Sequence, residues 1–295
     1  MPLLRNALAV LGLALLGGCA VAPERAATTI PDAAVATAAT PAHDNLNATL
    51  WMQASVEYSA VTVQVFRQAC AALDAALADQ RWSALPLDEQ RQAGGFESLP
   101  PAVIADLDET LVDNSPYQAR RVAAGGGFDA DSWRAWVEEA RARAVPVALE
   151  FARCAQQRGV TLVYVSNRKH EGERAATIAN LETLGFPFGD DGHELVLLRG
   201  DHRAPGRDKG ARRAWVAQRY RVLQLLGDNL GDFLDKVDAT PAARVAMTAP
   251  YQGWWGERWF MLPNPSYGSW EDALSVECAT PHDRAACKRA QLRLQ

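Results

Sequence analysis

Short apolar runs alternate with segments of helical periodicity through the middle of the chain. Five of these runs have the length of buried strands, namely residues 102–105, 161–166, 194–198, 222–227 and 259–262. Segments with helical spacing, at residues 171–184 and 210–219, lie between them. Strands that alternate with helices pair in parallel and carry helices on their faces. The pattern therefore predicts an α/β fold built on a Rossmann-like, doubly wound parallel sheet.

Two further regions of helical periodicity flank the first predicted strand. One covers residues 45–78, and the other is an insert with helical stretches at residues 131–142 and 147–158. We expect these regions, together about residues 45–80 and 114–158, to form a small helical cap beside the ligand site. The chain contains no internal repeat.

The first predicted strand ends in an acidic segment, Asp106-Leu-Asp108-Glu-Thr110. Open α/β sheets bind their ligands at the carboxyl ends of the strands. Two carboxylates one residue apart repel each other there unless a cation or a proton lies between them. Hard divalent cations such as Mg2+ bind oxygen ligands and often leave room for a substrate phosphate. On its own, the segment also fits an acidic loop without a function.

Polar residues of complementary chemistry follow the later strands. The second strand ends at Ser166 and Asn167, whose small polar groups can hold a phosphate oxygen. Lys209 begins a predicted helix, and the fourth strand ends at Asp228, with Asp232 four residues on. Taken singly, Lys209 fits a surface lysine and Asp232 a helix cap. Their order within one domain's length favours a single site for phosphate and metal.

This set of motifs resembles the haloacid dehalogenase superfamily, whose members are mainly phosphohydrolases on a Rossmann-like sheet. Longer blocks look like the bacterial class C acid phosphatases, the lipoprotein 5'-nucleotidase family. The blocks are residues 50–58, 106–117, 164–169, 227–233 and 261–271. The likeness runs from about residue 46 to about residue 274. It implies a phosphatase domain over residues 45–295, with its core at about residues 98–275.

The resemblance gives roles to the two aspartates that follow the first strand. Asp106 is implied to be the nucleophile, which forms an aspartyl-phosphate. Asp108 is implied to be the general acid and base, which protonates the leaving oxygen and then activates water. These roles match what phosphoryl transfer requires, namely an attacking group and a proton for the leaving alkoxide.

The same resemblance implies Mg2+ as the cofactor. Asp106, the backbone carbonyl of Asp108 and Asp228 would hold the ion, and water and a phosphate oxygen would complete its coordination. Asp232 would lie behind these ligands and orient a metal-bound water or Lys209. Carboxylates alone do not distinguish Mg2+ from Mn2+.

Contacts to a substrate are implied at two places. Ser166, the backbone of Asn167 and Lys209 would bind oxygens of the transferred phosphoryl group. Trp133 and Tyr267 match positions where family members stack a nucleotide base, a contact that contributes about 1–3 kcal/mol per base. Packing within the cap is the alternative role for both rings. The expected partner is a small phosphomonoester such as a 5'-mononucleotide.

The N-terminus predicts export and lipidation. Residues 1–18 fit a signal peptide, with a positive Arg5 and an apolar stretch too short to span a bilayer. Leu16-Gly-Gly-Cys19 resembles a bacterial lipobox, so that Cys19 would carry diacylglycerol and acyl chains such as palmitate. An ordinary secretory signal with an incidental cysteine is the alternative.

A tether and an outer-membrane location follow from the lipobox reading. Residues 19–44 are rich in Ala, Thr and Pro, which is typical of a flexible linker between a lipid anchor and a folded domain. By resemblance to Gram-negative lipoproteins, Ala20 after the cysteine favours the outer membrane of the cell envelope.

The charge of the chain limits the classes of molecule that the protein is expected to bind. A net charge of −5 and a pI near 5.6 argue against a nucleic-acid polymer, although a bound cation would still allow a small anionic substrate.

Four cysteines remain if Cys19 is lipidated, and export permits disulfides. Cys278 with Cys287 and Cys70 with Cys154 is one pairing, and free buried thiols are the alternative for the second pair. The sequence does not fix the oligomeric state.

Three functions fit these features. The leading hypothesis is a lipid-anchored, Mg2+-dependent acid phosphatase that acts on 5'-mononucleotides and similar small phosphomonoesters. The second is a phosphomonoesterase for sugar or aryl phosphates. The third is a surface lipoprotein that binds a ligand without catalysis, which the complete set of candidate catalytic residues argues against.

Overall fold

The computed structural model describes residues 43–278 and 283–294. The predicted signal peptide, Cys19 and the tether up to residue 42 lie outside the described residues. No helix among the described residues is both long and apolar enough to cross a membrane.

The described residues form a five-stranded sheet and a smaller two-stranded one. The strands are β1 (Pro101–Ala105), β2 (Val112–Asp113), β3 (Arg143–Ala144), β4 (Thr161–Lys169), β5 (Val196–Arg199), β6 (Arg221–Gly227) and β7 (Trp259–Met261). The large sheet is entirely parallel, in the order β5-β4-β1-β6-β7. The predicted α/β fold is therefore confirmed, and β1 lies at the centre of the sheet.

Both faces of β1 are buried. Val103 and Ala105 belong to the hydrophobic cluster on one face of the sheet, and Ala102 and Ile104 belong to the cluster on the other. Successive side chains of a strand point to opposite faces, so a strand covered on both sides reads as an unbroken apolar run. This burial explains why the central strands carry no alternation of polar and apolar residues.

Eleven α-helices lie among the described residues, and they include the helices that cover both faces of the sheet. They are α1 (Leu46–Ala54), α2 (Val56–Ala78), α3 (Leu87–Ala93), α4 (Ser115–Ala123), α5 (Ala130–Glu138), α6 (Ala148–Gln157), α7 (His170–Leu184), α8 (Gly210–Ala217), α9 (Pro241–Thr248), α10 (Ser269–Ala273) and α11 (Arg284–Ala290). Buried side chains of α2, α6 and α7 belong to one cluster, and those of α8 belong to the other.

The predicted helical cap is smaller than we expected. Phe66 and Leu73 of α2 are fully buried, and this helix packs against β6 and β7. The helix α6 packs against α2 and β4. Both helices, which we predicted in the cap, therefore form part of the layer that covers the sheet. The segments beside the ligand site are the start of α1, α4 and α5.

The predicted N-terminal helix is broken at Ser55, which has extended backbone angles. Its hydroxyl donates to the carbonyl of Trp51 at 2.7 Å and accepts the amide of Tyr58 at 3.0 Å. A serine side chain competes in this way with backbone hydrogen bonds and caps the next helix. Periodicity alone does not reveal such a break, because the apolar positions continue on both sides of it.

A short antiparallel pair of strands, β2 and β3, makes the first helix of the insert shorter than predicted. Asp113 of β2 pairs with Arg143 of β3, and Val112 pairs with Ala144. The helix predicted at residues 131–142 therefore ends at Glu138. This pairing also closes the loop that begins at the acidic end of β1, because the amide of Val145 donates to the carbonyl of Leu111 at 3.0 Å.

Two disulfides connect the four cysteines in the pairing that the sequence left open. Cys70 of α2 is bonded to Cys154 of α6, and Cys278 is bonded to Cys287 of α11. The first bond joins residues 84 positions apart and the second joins residues 9 positions apart. A disulfide that closes a longer loop removes more conformational freedom from the unfolded chain.

We expect replacement of Cys70 and Cys154 by Ser to lower the free energy of unfolding by about 2–5 kcal/mol. The matched replacement of Cys278 and Cys287 should lower it by less, because that loop is shorter. Denaturant unfolding of both double variants measures the two losses. An equal or larger loss for the short loop would contradict the expectation.

Candidate active site

One cleft at the carboxyl ends of the strands collects almost all of the predicted site residues. The cleft has a volume of about 1200 Å³. Its lining includes Asp106, Asp108, Trp133, Asn167, Lys209, Asp228, Asp232 and Tyr267. Asp106 follows β1 and Asp228 follows β6, and the two strands are neighbours in the sheet. Ser166 lies beside them in β4 but is fully buried and does not line the cleft.

Three carboxylates crowd the floor of the cleft. Asp106, Asp228 and Asp232 each present an oxygen within 4.8 Å of the others. Burial is the largest cause that raises the pKa of Asp106, to about 7, and the charges of Asp232 and Asp108 add to it. Burial and the charges of Asp232 and Asp106 raise the pKa of Asp228 well above its usual value. The surroundings of the cluster therefore do not stabilise the negative charge of all three ionised carboxylates.

Lys209 offsets part of this charge. Its ammonium group pairs with Asp106 and lies 2.6 Å from an oxygen of Asp232. Burial acts to lower the pKa of Lys209, but the two carboxylates outweigh it, and the pKa lies above its usual value. One lysine balances only part of the negative charge of three carboxylates, so the site can also accept a cation.

The donor set fits a hard divalent cation. All three candidate ligands are carboxylate oxygens, which suit Mg2+. Asp228 is fixed by the side-chain amide of Asn264, which donates to it at 2.7 Å. Both oxygens of Asp232 are already bonded, one to Lys209 and the other to the amide of Asn229 at 2.9 Å. Asp232 is thus better arranged to position Lys209 than to hold an ion.

The absence of a side chain at Gly227 makes space for Asp232 at the end of β6. A Cβ atom on Gly227, the last residue of β6, would lie 2.1 Å from the nearest oxygen of Asp232 and 2.3 Å from its Cβ. No pair of such atoms can approach this closely. Glycine at this position is therefore what allows the carboxylate of Asp232 to reach Lys209.

Arg168 holds the carboxylate of Asp108, a contact that we did not predict. The guanidinium group donates to Oδ1 through Nε at 2.9 Å and through Nη2 at 2.8 Å, and to Oδ2 through Nε at 3.3 Å. Asn114 donates to the same carboxylate at 2.8 Å, and Ser166 donates at 3.3 Å. A charged fork of this kind fixes both position and orientation. Arg168 lies two residues after Ser166 in β4, so its presence on the same face of the strand was a usable signal.

Ser166 and Asn167 are engaged by protein groups. The hydroxyl of Ser166 donates to Asp108 and accepts the amide of Arg168 at 3.1 Å. The side-chain oxygen of Asn167 accepts a bond from the buried Arg212 at 2.7 Å. Arg212 also donates to the carbonyl of Arg207 at 2.8 Å, and so joins the end of β4 to the loop before Lys209.

Glu109 is a second residue that we did not predict. It is fully buried and has a positive φ of 60°. Burial, followed by the charge of Asp108, raises the pKa of its carboxyl to about 8. The carboxyl accepts bonds from Asn114 and from the hydroxyl of Tyr267.

Aromatic rings form one wall of the cleft. The ring of Trp133 lies 5.1 Å from that of Tyr117 and 6.4 Å from that of Phe128, measured between centroids. The guanidinium group of Arg168 lies 5.8 Å from the ring of Trp133. Phe128 is 73% exposed. An exposed aromatic ring beside a charged centre is suited to a ligand with both a flat ring and a charged group.

The arrangement combines the parts that phosphoryl transfer requires. A carboxylate at a strand end is paired with a buried lysine, and a second carboxylate is held by an arginine fork. Positive charge and a cation site surround the first carboxylate, where negative charge would develop on a transferred group.

The chain is similar to known acid phosphatases. A profile of the HAD superfamily, subfamily IIIB (acid phosphatase), matches residues 19–270. The solved class C acid phosphatase from Bacillus anthracis is 32% identical, with a TM-score of 0.70, and the match covers 84% of this chain and 96% of that one. The same enzyme with tungstate bound gives the same values.

Two curated plant proteins are also similar. Acid phosphatase 1 of Solanum lycopersicum is 29% identical over 167 residues, which cover 56% of this chain and 57% of that protein. The stem 31 kDa glycoprotein of Glycine max is 26% identical over 168 residues, which cover 56% of this chain and 58% of that protein. The chain spans little more than half the length of these relatives.

We expect the metal-free protein to lose stability as the pH rises. A carboxyl group whose pKa is raised by folding stabilises the protein fully below its usual pKa, and this contribution disappears as the pH rises through the folded value. For Asp106 that window runs from about 4 to about 7, and the raised pKa of Asp228 contributes a loss in the same direction. Denaturant unfolding in EDTA should show a loss on the order of 2 kcal/mol between about pH 5 and pH 8.

Replacement of Asp228 by Asn is the matched control. It removes one of the crowded charges, so the metal-free variant should be more stable than the wild type at pH 8. The same variant should gain much less stability from added Mg2+ than the wild type gains. Equal stabilisation of both proteins by Mg2+ would exclude Asp228 as a ligand.

Proposed function

This chain belongs to the acid phosphatases of HAD subfamily IIIB, and from that premise we propose that it is a phosphoric monoester hydrolase for 5'-mononucleotides and similar small phosphomonoesters. The observation that carries the proposal is the buried Asp106 at the end of β1, paired with Lys209 and adjacent to Asp228. The second aspartate of the motif, Asp108, lies at the same cleft.

In the proposed reaction, an oxygen of Asp106 attacks phosphorus and the ester oxygen leaves with the bonding electrons. Asp108 gives this oxygen a proton, so that an alcohol departs and a phosphoryl group remains on Asp106. Asp108 then takes a proton from water, which attacks the phosphoryl group and releases inorganic phosphate. The fixed orientation of Asp108 supports this double role.

Mg2+ is the proposed cofactor. Asp106, Asp228 and the backbone carbonyl of Asp108 would hold the ion, which would neutralise charge on the phosphoryl oxygens. Asp232 positions Lys209 beside Asp106. Lys209 then contributes a second positive charge where the phosphate binds.

Asn167 keeps its proposed part in phosphate binding, whereas Ser166 has a proposed part in orienting Asp108. The exposed Asn167 lines the cleft near the end of β4, and its side chain is held by Arg212. Ser166 is buried, and its hydroxyl bonds to Asp108. We therefore propose that Ser166 acts mainly by orienting Asp108.

The aromatic wall supports a nucleotide as the substrate. Trp133 and Tyr267 line the same cleft as Asp106, and the exposed Phe128 extends the surface beside Trp133. Stacking on such rings discriminates little among bases, so we propose weak base selectivity. Release of a nucleoside from its phosphate would suit a role in nucleoside uptake.

We further propose that the protein is a lipoprotein of the cell envelope, anchored to the outer membrane through Cys19. The lipobox-like segment that ends at Cys19 and the linker-like composition after it support this location.

Purified protein should release phosphate from AMP at acidic pH with Mg2+, and EDTA should abolish the release. Replacement of Asp106 by Asn should reduce turnover to background, because the amide is a poor nucleophile. A colorimetric phosphate assay measures both. A folded wild-type protein that binds AMP but releases no phosphate from AMP or an aryl phosphate would favour a ligand-binding lipoprotein instead.

Replacement of Arg168 by Lys should reduce kcat/KM most for substrates with poor leaving groups. The lysine keeps the charge but loses the fork that orients Asp108, so proton donation to an alkoxide should suffer. We expect kcat/KM to fall on the order of tenfold more for AMP than for 4-nitrophenyl phosphate, whose leaving group needs little protonation.

The control for this variant is Arg120→Lys. Arg120 forms a similar fork with Glu139 on the exposed side of α4, at 2.6 and 2.9 Å. Arg120→Lys should leave the ratio of kcat/KM for AMP to kcat/KM for 4-nitrophenyl phosphate unchanged. Equal losses on both substrates in Arg168→Lys would indicate that Arg168 does not act through Asp108.

A further inference from the structure

Glu109 is a fully buried carboxyl group that the proposed reaction does not use. Its positive φ of 60° places a residue with a side chain in the left-handed region, which costs about 1 kcal/mol or more. The backbone is held there because the amide of Glu109 donates to the carbonyl of Val112 at 2.8 Å. This turn aims the side chain of Glu109 away from solvent and towards the loop that follows β7.

The carboxyl group of Glu109 joins two parts of the cleft. On one side it accepts the backbone amide of Asn114 at 2.8 Å and the side-chain amide at 3.4 Å. On the other side it accepts the hydroxyl of Tyr267. The side-chain amide of Asn114 also donates to Asp108 at 2.8 Å. Glu109 thus ties the aromatic ring of Tyr267 to the loop that carries Asp106 and Asp108.

The loop that carries Tyr267 is fixed at its start as well. The side-chain oxygen of Asn264 accepts the amide of Ser266 at 2.9 Å and that of Tyr267 at 3.4 Å. The same residue donates to Asp228 at 2.7 Å. These bonds hold the backbone of the loop. Among the described residues, the hydrogen bond that the ring itself makes runs from the hydroxyl of Tyr267 to Glu109.

We propose that Glu109 is a positioning residue that holds the ring of Tyr267 against the cleft, and thereby sets how strongly the protein prefers phosphomonoesters carrying a flat aromatic group. This inference rests on the proposed phosphatase function. A ring held in its binding orientation loses less freedom when a ligand stacks on it, so the anchor strengthens binding of substrates with a base. A phosphomonoester without a base gains nothing from the fixed ring.

AMP and ribose 5-phosphate form a matched pair for the test, because both release the same type of sugar hydroxyl and differ by the base. The measured quantity is the ratio of kcat/KM for AMP to kcat/KM for ribose 5-phosphate, with the full chain and Mg2+. Tyr267→Phe keeps the ring and removes only the hydroxyl. We expect this variant to lower the ratio by about threefold to tenfold, the effect of one net hydrogen bond.

Variants of Glu109 separate anchoring from folding. Glu109→Gln keeps an acceptor for the hydroxyl and should keep the ratio within about twofold of the wild type. Glu109→Ala should lower the ratio as Tyr267→Phe does. The double variant Glu109→Ala/Tyr267→Phe should show no further decrease, because both changes remove the same bond.

Tyr220→Phe is the control for loss of a hydroxyl. The hydroxyl of Tyr220 donates to the carboxylate of Asp191 at 2.5 Å, and neither residue lines the cleft. This variant should leave the ratio unchanged. Circular dichroism of each variant checks that the proteins compared are folded.

Three results would overturn the inference while leaving the proposed function intact. The first is an unchanged ratio in Tyr267→Phe. The second is an equal loss on both substrates in Glu109→Ala, which would make Glu109 a support for the catalytic loop alone. The third is a wild-type protein that hydrolyses both substrates equally well. Failure of the wild type on both substrates would overturn the proposed function itself, and the inference with it.

Discussion

Asp106, Asp228 and Asp232 repel one another at the carboxyl end of the sheet, and the groups around them in the cleft are arranged to offset that repulsion. Three carboxylates held within 4.8 Å of one another at a buried strand end are stable only with compensating positive charge. Lys209 supplies one charge, and a divalent cation is the natural source of the remainder. The same excess of negative charge that costs stability without a ligand prepares the site to bind a cation and a phosphate together.

A second layer of contacts turns this charged floor into an oriented site. Asp108 is held by Arg168 and Asn114, and Asn114 is in turn held by Glu109. Glu109 accepts a bond from Tyr267, so the carboxylates and the ring of Tyr267 belong to one hydrogen-bonded network. Under the proposed function, small displacements in such a network would affect proton transfer and substrate choice together, because the groups share partners.

The sequence predicted those features that follow from local pattern. Apolar runs that end in Asp106 and Asp228 identify both the buried strands and the edge where their chemistry meets, because the carboxyl ends of parallel strands lie at one edge of the sheet. The break at Ser55 and the pairing of β2 with β3 are decided by contacts that periodicity does not record. Glu109 escaped prediction for the same reason, since its partner Tyr267 lies 158 residues away.

The most direct test of this account is to find the phosphoryl group on the protein during turnover. Protein mixed with AMP and Mg2+ is quenched in acid within the turnover time, digested, and examined by mass spectrometry. We predict one phosphoryl group on the peptide that contains Asp106, and none when Mg2+ is withheld. Continued release of phosphate with no phosphoryl group on that peptide, or with the group on another residue, would contradict it.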